Sequence, residues 1–325
     1  MNTKEQILAI LEARRGSAVS GEEIAAHLHI SRAAVSKAVS ALKGEGHTIS
    51  ALNRKGYTLL STSPVLSAAG IEKYLSRRGL SITVMGEVTS TNTLLKTAAE
   101  NGAPEGSVLI AEAQSAGRGR RGKSFISQKQ TGLYMSVLLR PTMSAAAALH
   151  ITTAAAVAVA LAIETLCGRK TKIKWVNDIY IGGRKVCGIL TEGALDLESG
   201  GLAYAILGIG INLLPPRGGF PQEIREIAGA LYAEELPPDL RAKLAAEILN
   251  NFFSLYENIG SGAHYAEYAK RDDLKGKEIL VLRGKEAFPA VAECITKNFG
   301  LAVRYPDGRR EVLSSGEVSV RPRQA

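Results

Sequence analysis

The sequence predicts an α+β chain of three domains, at residues 1–62, 63–272 and 273–325. Apolar residues recur at helical spacing up to Lys43 and then alternate as far as Leu60. Between Ser67 and Pro216 strand-like and helix-like segments alternate, which is typical of a sheet backed by helices. From Leu274 onward the segments are short and separated by glycine turns. About fifty residues of that type predict a small SH3-like β-barrel.

The composition is that of an ordinary globular protein with a basic surplus. The 325 residues are 46% hydrophobic and 22% charged, which excludes disordered and fibrous classes. A net charge of +9 favours polyanionic partners, either nucleic acid or nucleotide phosphates. Cys167, Cys187 and Cys294 form no CxxC pair, and no signal peptide is visible. These features predict a cytoplasmic protein with reduced thiols and no zinc site.

Three short helices are predicted at the start of the first domain. The residues Thr3 to Arg15 place apolar side chains at helical spacing. The segment Ser20–Glu23 matches a capping box, which opens a second helix that runs through His27. Ser31 is a good N-cap for a third helix over Arg32–Lys43.

The second and third helices, joined by a tight turn, are typical of a helix-turn-helix. A hairpin with a basic tip follows at residues 47–60 and is predicted to be the wing of a winged helix. The exposed face of the third helix is small, hydroxylated and basic, so it fits a DNA major groove. The residues expected to contact DNA are Ser31, Arg32, Ser36, Lys37, Arg54 and Lys55. The alternative is a packing module that does not bind DNA and whose charged face is exposed to solvent.

The second domain begins near Pro64, where the periodicity breaks. Helices are predicted over Ser67–Arg77, Asn92–Glu100 and Leu240–Ile259, and strands over Ile82–Glu87, Ser107–Ala113, Tyr134–Arg140, Ile173–Trp175, Val186–Gly193 and Leu202–Asn212. The stretch Leu149–Cys167 approaches the length of a membrane span, but it is mostly alanine, which gains little from lipid. It is therefore predicted to be a buried helix.

The stretch Gly117–Lys123, called the basic loop below, carries three glycines and four positive charges in seven residues. Its spacing matches the Gly-x-Gly-x-x-Gly fingerprint of dinucleotide sites. However, the variable positions are arginines, and the residues that follow lack helical periodicity, so a Rossmann site is rejected. Each arginine needs a counter-ion and each glycine adds backbone freedom, which favours a loop that binds phosphate. The alternative is a basic loop that is exposed to solvent and binds no phosphate.

Four more motifs accompany the basic loop, and in this order they are Glu87-Val-Thr-Ser-Thr-Asn92, Lys174-Trp-Val-Asn-Asp178, Gly183-Arg-Lys-Val-Cys-Gly-Ile-Leu190 and Gly208-Ile-Gly-Ile-Asn212. Together they resemble the catalytic module of biotin protein ligases. With the N-terminal domain included, nearly the whole chain is similar to the bifunctional ligases that also repress the biotin operon. The resemblance implies a central domain of the class II synthetase type and a C-terminal domain that caps the active site.

The resemblance also implies a reaction and its partners. Biotin and ATP would react with Mg²⁺ to give biotinoyl-5′-AMP, which would acylate a lysine of a biotin carboxyl carrier protein. The adenylate would act as corepressor of a homodimer that binds operator DNA, and no membrane is involved.

Residue roles follow from the same resemblance. The catalytic residues would be Lys185, Arg118, Arg120 and Arg121. Biotin would be bound by Ser90, Thr91, Asn92, Gln114, Arg118, Gly119, Arg120, Lys185 and Gly188, and ATP by Arg121, Lys123, Phe125, Asn177 and Asn212. Asp178 would bind the metal ion, since a carboxylate oxygen suits Mg²⁺. Amides and hydroxyls suit the ureido ring, which has two N–H donors and one carbonyl. The basic loop is expected to be mobile without ligand.

Some features leave alternatives open. Phe125 stands where family members often have Trp, Val176 replaces a common Pro, and Gln128 differs from the usual Pro, so the nucleotide affinity stays open. A lipoate or octanoate ligase is a second hypothesis, although the arginines of the basic loop and the N-terminal domain argue against it. A third is a ligand-sensing regulator without catalysis, against which the presence of Lys185 argues. Residues 1–60 disfavour a monofunctional ligase.

Overall fold

The computed structural model describes residues 2–52, 56–143, 148–195, 201–314 and 318–322 of the chain. The N-terminal part contains α1 (Thr3–Ala13), α2 (Gly21–Leu28) and α3 (Arg32–Gly44), followed by the antiparallel strands β1 (Ile49–Leu52) and β2 (Gly56–Leu59). These elements bury one apolar cluster of their own, which includes Ile7, Ile24, Val35, Leu42 and Leu59. The predicted helix-turn-helix and its hairpin are therefore confirmed, while Arg54 and Lys55 lie outside the described residues.

The helix caps differ in part from the prediction. Ser20 and Ser31 begin α2 and α3 as expected, and each hydroxyl accepts a hydrogen bond from the backbone three residues on. The second hydrogen bond of the predicted capping box, from the Ser20 amide to the Glu23 carboxylate, is not formed. The Glu23 carboxylate pairs with Arg14 at 2.8 Å instead. A guanidinium is a stronger partner for a carboxylate than a backbone N–H. A complete capping box, not predicted, lies at Asn2–Glu5 instead.

Buried charges join α1 to the second domain. The Glu12 carboxylate accepts hydrogen bonds from Arg15 at 2.7 Å, Ser67 at 2.8 Å and Lys73 at 3.2 Å. Arg15 and Lys73 also pair with Asp239, at 3.0 and 3.3 Å. Burial raises the pKa of Glu12, but the Arg15 hydrogen bond and the neighbouring positive charges outweigh it and hold this pKa below its usual value. The first two domains are thus joined by a network of paired charges.

The second domain is built on a seven-stranded mixed sheet in the order β3-β4-β5-β9-β8-β7-β6. Its elements in chain order are α4 (Ala68–Glu72), β3 (Ser81–Val88), α5 (Thr91–Glu100), β4 (Ser107–Gln114), β5 (Gly132–Leu139), α6 (Ala148–Cys167), β6 (Lys172–Lys174), β7 (Asp178–Ile181), β8 (Arg184–Leu195), β9 (Leu202–Asn212), α7 (Leu240–Tyr256) and α8 (Tyr265–Lys270). Only β3 and β4 pair in parallel among these described strands.

In the second domain one helix was predicted too long and one strand was missed. The helix predicted over Ser67–Arg77 stops at Glu72, since Asn250 on α7 accepts from the amide of Ser76 and donates to the carbonyl of Tyr74. These bonds replace the helical ones that would have continued α4. The four-residue strand β7 was not predicted.

The two faces of the sheet are covered differently. On one face, alternate residues of β5 such as Leu133, Val137 and Leu139 pack into the main core with α6 and α7. On the other face, α5 covers only one end of the sheet, where Leu95 and Leu138 belong to a separate small cluster. The rest of this second face is left for a ligand pocket.

Helix α6 is long and apolar enough to cross a membrane by length and composition. Most of its residues from Ile151 to Ile163 are buried, and they pack in the main core of the sheet. It is therefore the buried helix that the sequence predicted.

The C-terminal part is an antiparallel sheet of β10 (Glu278–Arg283), β11 (Glu286–Ile295), β12 (Leu301–Arg304), β13 (Arg310–Leu313) and β14 (Val318–Pro322). The strand order is β13-β12-β11-β10-β14. In the part of the chain that the structure describes, β13 and β14 do not pair, so this sheet is not seen to close. The all-β character is confirmed, and the closed SH3-like barrel stays a prediction.

Phe299, in the turn between β11 and β12, ties the C-terminal sheet to the second domain. Its ring stacks on His264 at a centroid distance of 4.4 Å, and its carbonyl accepts a hydrogen bond from the indole of Trp175 at 2.8 Å. The imidazole of His264 lies 2.9 Å from the hydroxyl of Thr153. Burial, with the nearby His150, lowers the pKa of His264 to about 4. The contact between the domains therefore depends on a neutral histidine.

We expect mild acid to weaken this contact. His264 is neutral in the folded protein down to about pH 4 but titrates near 6.5 when unfolded, so its contribution to stability is complete above pH 6.5 and is lost as pH falls towards 4. The loss between pH 7 and pH 5 should be about 2 kcal/mol. Urea unfolding followed by the fluorescence of Trp175, the single tryptophan, measures it. His264→Gln should flatten this pH dependence relative to wild type, whereas the exposed control His27→Gln should leave it unchanged. Equal slopes in all three proteins would contradict the assignment.

Candidate active site

The floor of the pocket is made of glycines on neighbouring strands. Gly188 on β8 lies opposite Gly210 on β9, and Gly208 on β9 lies opposite Leu190. A Cβ atom added to Gly210 would lie 2.7 Å from the ring of Phe125, and one added to Gly208 would collide with Asn92. Because glycines stand at these positions, there is space for the Phe125 ring and the Asn92 amide.

A chain of hydroxyls and amides lies at one end of this floor. Ser90 caps α5, and the backbone N–H of Thr91 donates to the side-chain carbonyl of Gln114 at 2.9 Å. The fully buried hydroxyl of Ser136 lies 2.7 Å from Thr91 Oγ1 and 2.6 Å from Asn92 Oδ1. This end of the pocket is polar and fixed by its own hydrogen bonds, and the Asn92 amide also donates to the Glu192 carboxylate at 2.8 Å.

The basic loop lies over the floor as a small hairpin. The amide of Phe125 donates to the carbonyl of Gly117 at 2.9 Å, and Arg121 has a positive φ of 57° within a 3₁₀ turn. Arg118 pairs with Glu192 on β8 at 3.1 Å, while Arg120 donates to Asn177 Oδ1 at 3.1 Å. The loop is thus tied by its own backbone bonds and by two arginines to the sheet. No helix follows it, which confirms the rejection of a Rossmann site.

A second end of the pocket carries charge. The ammonium of Lys185 lies 2.7 Å from Asp178 Oδ1, and both residues lie near Lys174. Burial lowers the pKa of Lys174, the Lys185 charge acts in the same direction, and Asp178 opposes both. Burial also lowers the pKa of Arg120. Four ionisable groups are therefore crowded at this end, which is a frequent property of active sites.

Asn177 and Asn212 hold the backbone around the pocket. Asn177 donates to the carbonyl of Ile189 at 2.8 Å while it accepts from Arg120, and it follows the cis peptide between Trp175 and Val176. Asn212 donates to the carbonyl of Gly229 at 3.0 Å and does not line the pocket. The side-chain amides of both residues therefore form hydrogen bonds within the chain.

Most of the predicted site residues come together. The pocket is lined by Ser90, Thr91, Asn92, Gln114, Arg118, Gly119, Arg120, Phe125, Asn177, Lys185 and Gly188, as well as Ile189 and Leu190. Asp178 contacts Lys185 from outside this lining, whereas Arg121 and Lys123 are exposed on the basic loop. Among the residues that the structure describes, no group of three or more His, Cys, Asp or Glu side chains could hold a metal ion.

Sequence reasoning missed several pocket residues, namely Met135, Gly208, Ile209 and Gly210 in the lining and Ser136 and Glu192 in its hydrogen-bond network. A signal existed for Ser136, which is the only serine among the mostly apolar buried residues of β5, where Tyr134 carries the other hydroxyl. Ser31, Arg32, Ser36 and Lys37 are exposed along α3, as a DNA-contacting face requires.

Comparisons with known proteins match both parts of the molecule. The biotin/lipoate A/B protein ligase family matches residues 85–212, and a helix-turn-helix domain matches residues 3–58. The bifunctional ligase/repressor BirA of Bacillus spizizenii is 38% identical over 247 residues, which are 74% of each chain. That of Escherichia coli is 30% identical over 321 residues, 97% of this chain and 96% of its own. The structure of the Aquifex aeolicus biotin protein ligase in complex with biotin and ATP is similar with a TM-score of 0.61 and 26% identity, over 75% of this chain and 99% of that one.

The fold and the pocket define a ligase catalytic domain joined to a DNA-binding domain. A relative that is named as both ligase and repressor is similar over 97% of this chain, so the chain belongs among the bifunctional members of this class. The chain belongs to the family of the bifunctional BirA ligase/repressors.

Gly208→Ala should reduce biotin affinity about tenfold or more, because the new methyl group displaces Asn92 and overpacking of this kind costs about 1–3 kcal/mol. Isothermal titration of biotin measures the change. Gly86→Ala on β3 is the control, since a Cβ there meets nothing within 4 Å. Unchanged biotin affinity in Gly208→Ala would mean that Asn92 and the glycine floor do not shape the biotin site.

Proposed function

We propose that the pocket joins biotin to ATP, forming biotinoyl-5′-AMP and pyrophosphate, and then transfers the biotinoyl group to a lysine of a biotin carboxyl carrier protein. The observation that carries this proposal is the division of one glycine-floored pocket into a polar end, where the only charges among the described residues are the paired Arg118 and Glu192, and a cationic end. Biotin has the same division, with a ureido ring at one end and a carboxylate at the other. Lipoate lacks a ureido group that could use the polar end.

The polar end suits the ureido ring. Ser90, Thr91 and Gln114 lie together at the start of α5 and the end of β4, where they present hydroxyl and amide groups to the pocket. The Asn92 amide is already bonded on both sides, to Ser136 and Glu192, so its part is to fix the shape of this end. Gly188 and Leu190 then line the path of the apolar valeryl chain.

The cationic end suits the carboxylate and the α-phosphate. Lys185 and Arg120 line this end, and in a partly buried site their charges act through a lower dielectric than in water. Arg121 and Lys123, exposed on the basic loop, are placed to meet the outer phosphates and the departing pyrophosphate. Phe125 packs over Gly210 and offers a ring face for the adenine.

Asp178 offers one carboxylate beside this cationic end. A single carboxylate fits Mg²⁺, which is usually held by one or two carboxylates together with substrate phosphates and water. When bound, the ion would neutralise phosphate charge. Asp178 would exchange its contact with Lys185 for the metal, which frees the Lys185 ammonium to approach biotin's carboxylate.

The chemistry has two steps. A carboxylate oxygen of biotin attacks the α-phosphorus of ATP, and the bond to the pyrophosphate oxygen breaks. Lys185 and Arg120 stabilise the charge that accumulates on the phosphoryl oxygens. In the second step the neutral amine of the acceptor lysine attacks the biotinoyl carbonyl, loses a proton, and AMP leaves.

The same adenylate serves as corepressor. A ligand can favour a DNA-binding dimer only if it binds the dimer more tightly than the monomer. We assign DNA contact to the exposed face of α3, with the domain borders at residues 62 and 272, and we place the protein in the cytoplasm. The wing residues Arg54 and Lys55 would add phosphate contacts.

ATP–pyrophosphate exchange tests the ligase proposal. Exchange should occur with biotin and not with lipoate or octanoate, and Lys185→Ala should reduce it about a hundredfold or more, the usual effect of removing one group that stabilises transition-state charge. Lys172→Ala, an exposed lysine on β6, is the matched control and should exchange normally. Exchange with lipoate would favour the related lipoate ligases. Tight biotin binding without exchange would leave a sensor that does not catalyse.

DNA binding tests the repressor proposal. With biotin and ATP present, Lys37→Ala should lower affinity for the promoter of the organism's own biotin genes about tenfold and reduce the salt dependence by one phosphate contact. Lys43→Ala, which removes an equal charge near the end of α3, should bind nearly normally. Electrophoretic mobility shifts at several salt concentrations measure both. An equal loss in the two variants would show a general charge effect and no specific α3 face.

A further inference from the structure

A carboxylate stands at the edge of a pocket that takes an anionic substrate. Glu192 lies on β8 two residues beyond Leu190, so it faces the same side of the sheet as the pocket floor. Its Oε2 accepts a hydrogen bond from Asn92 Nδ2 at 2.8 Å, and its Oε1 pairs with Arg118 at 3.1 Å. Each carboxylate oxygen therefore contacts one donor, and the two donors belong to different parts of the site.

Glu192 is also remote from the cationic end. The Lys185 ammonium lies beside Gly188, four positions before Glu192 on β8, so roughly 13 Å of strand separates the two charges. Arg118, held by Glu192, thus lies at the ureido end of the pocket, whereas Arg120, held by Asn177, lies nearer the carboxylate end. The two arginines of one loop are directed to opposite ends of the ligand.

We infer that Glu192 is a positioning residue that closes the basic loop over the ureido end of biotin, with Arg118 as its partner. Arg118 accordingly acts as an anchor of the loop and not as a charge for the phosphates. The inference deepens the proposed function and rests on it in one respect, namely that the ligand at the polar end is biotin.

The hydrogen-bonding capacity of the side chain explains why this residue is a glutamate. Both of its partners, Asn92 Nδ2 and the Arg118 guanidinium, are donors, and an ionised carboxylate accepts from two donors at once. A glutamine would turn an N–H₂ group towards one of them, so that two donors would face each other. Glu192→Gln therefore keeps the size of the side chain but removes one of its two contacts, either with Asn92 or with Arg118.

Hydrogen exchange and ligand release test the inference together. In Glu192→Gln the backbone amides of Gly117–Phe125 should exchange about threefold to fivefold faster, and biotin should dissociate faster by a similar factor, as expected for loss of a partly exposed ion pair. The KM for ATP in the exchange assay should change less than about twofold. Glu87→Gln, which removes an exposed carboxylate on β3, is the matched control and should resemble wild type.

A double-mutant cycle with Arg118→Gln decides whether Glu192 acts through Arg118. If it does, Glu192→Gln adds little to loop exchange or to biotin release in the Arg118→Gln protein. Full additivity, an ATP KM that rises as much as the biotin dissociation rate, or loop exchange equal to that of Glu87→Gln would each overturn the inference. Loop exchange in the ligand-free protein is independent of the substrate. A wild-type protein that fails to activate biotin would therefore refute the proposed function without deciding the Glu192 contact.

Discussion

The position of the basic loop depends on one buried ion pair, between Glu112 on β4 and Arg241 on α7. The guanidinium lies 2.9 Å from the carboxylate and also donates to the carbonyls of Gly132 and Pro64. The carboxylate accepts from the amide of Leu66. The strand that precedes the loop, the strand that follows it and the segment leading from the first domain therefore meet at one side chain. Removing one partner of such a pair commonly costs about 3–5 kcal/mol, because the other is left as an unpaired buried charge.

The charged network around Glu12 lies next to this ion pair. Asp239, which pairs with Arg15 just after α1, is the residue before α7 and stands two positions before Arg241. Paired charges therefore connect the segment after α1 to the start of α7 and, through Arg241, to β4.

Local features of the fold could be predicted from the sequence, whereas features made by distant contacts could not. The periodicity of α3 and the serine at its start are local, and so is the clustering of charge in the basic loop. In contrast, α4 stops early because of Asn250, which lies more than 170 residues away. The pairing of Glu23 with Arg14 likewise required the geometry of two helices.

The candidate site divides in the same way. The family resemblance implied a common site for Lys185, Arg120 and Gln114, and all three line the pocket. Glu192 had no such pattern, because its two partners come from α5 and from the basic loop and are brought to it by the sheet register. A charge whose function is to hold other residues has no local signal in one sequence.

The glycine floor limits how this pocket can change in evolution or by design. At Gly188, Gly208 and Gly210 every substitution adds atoms, and nothing can be removed. Variation at these three positions can therefore only shorten or block the groove. A pocket for a bulkier acid has to arise from its removable walls, chiefly the ring of Phe125 and the side chain of Leu190. Substrate range in this chain is accordingly controlled by the side chains that surround the glycine floor, one just after the basic loop and one on β8.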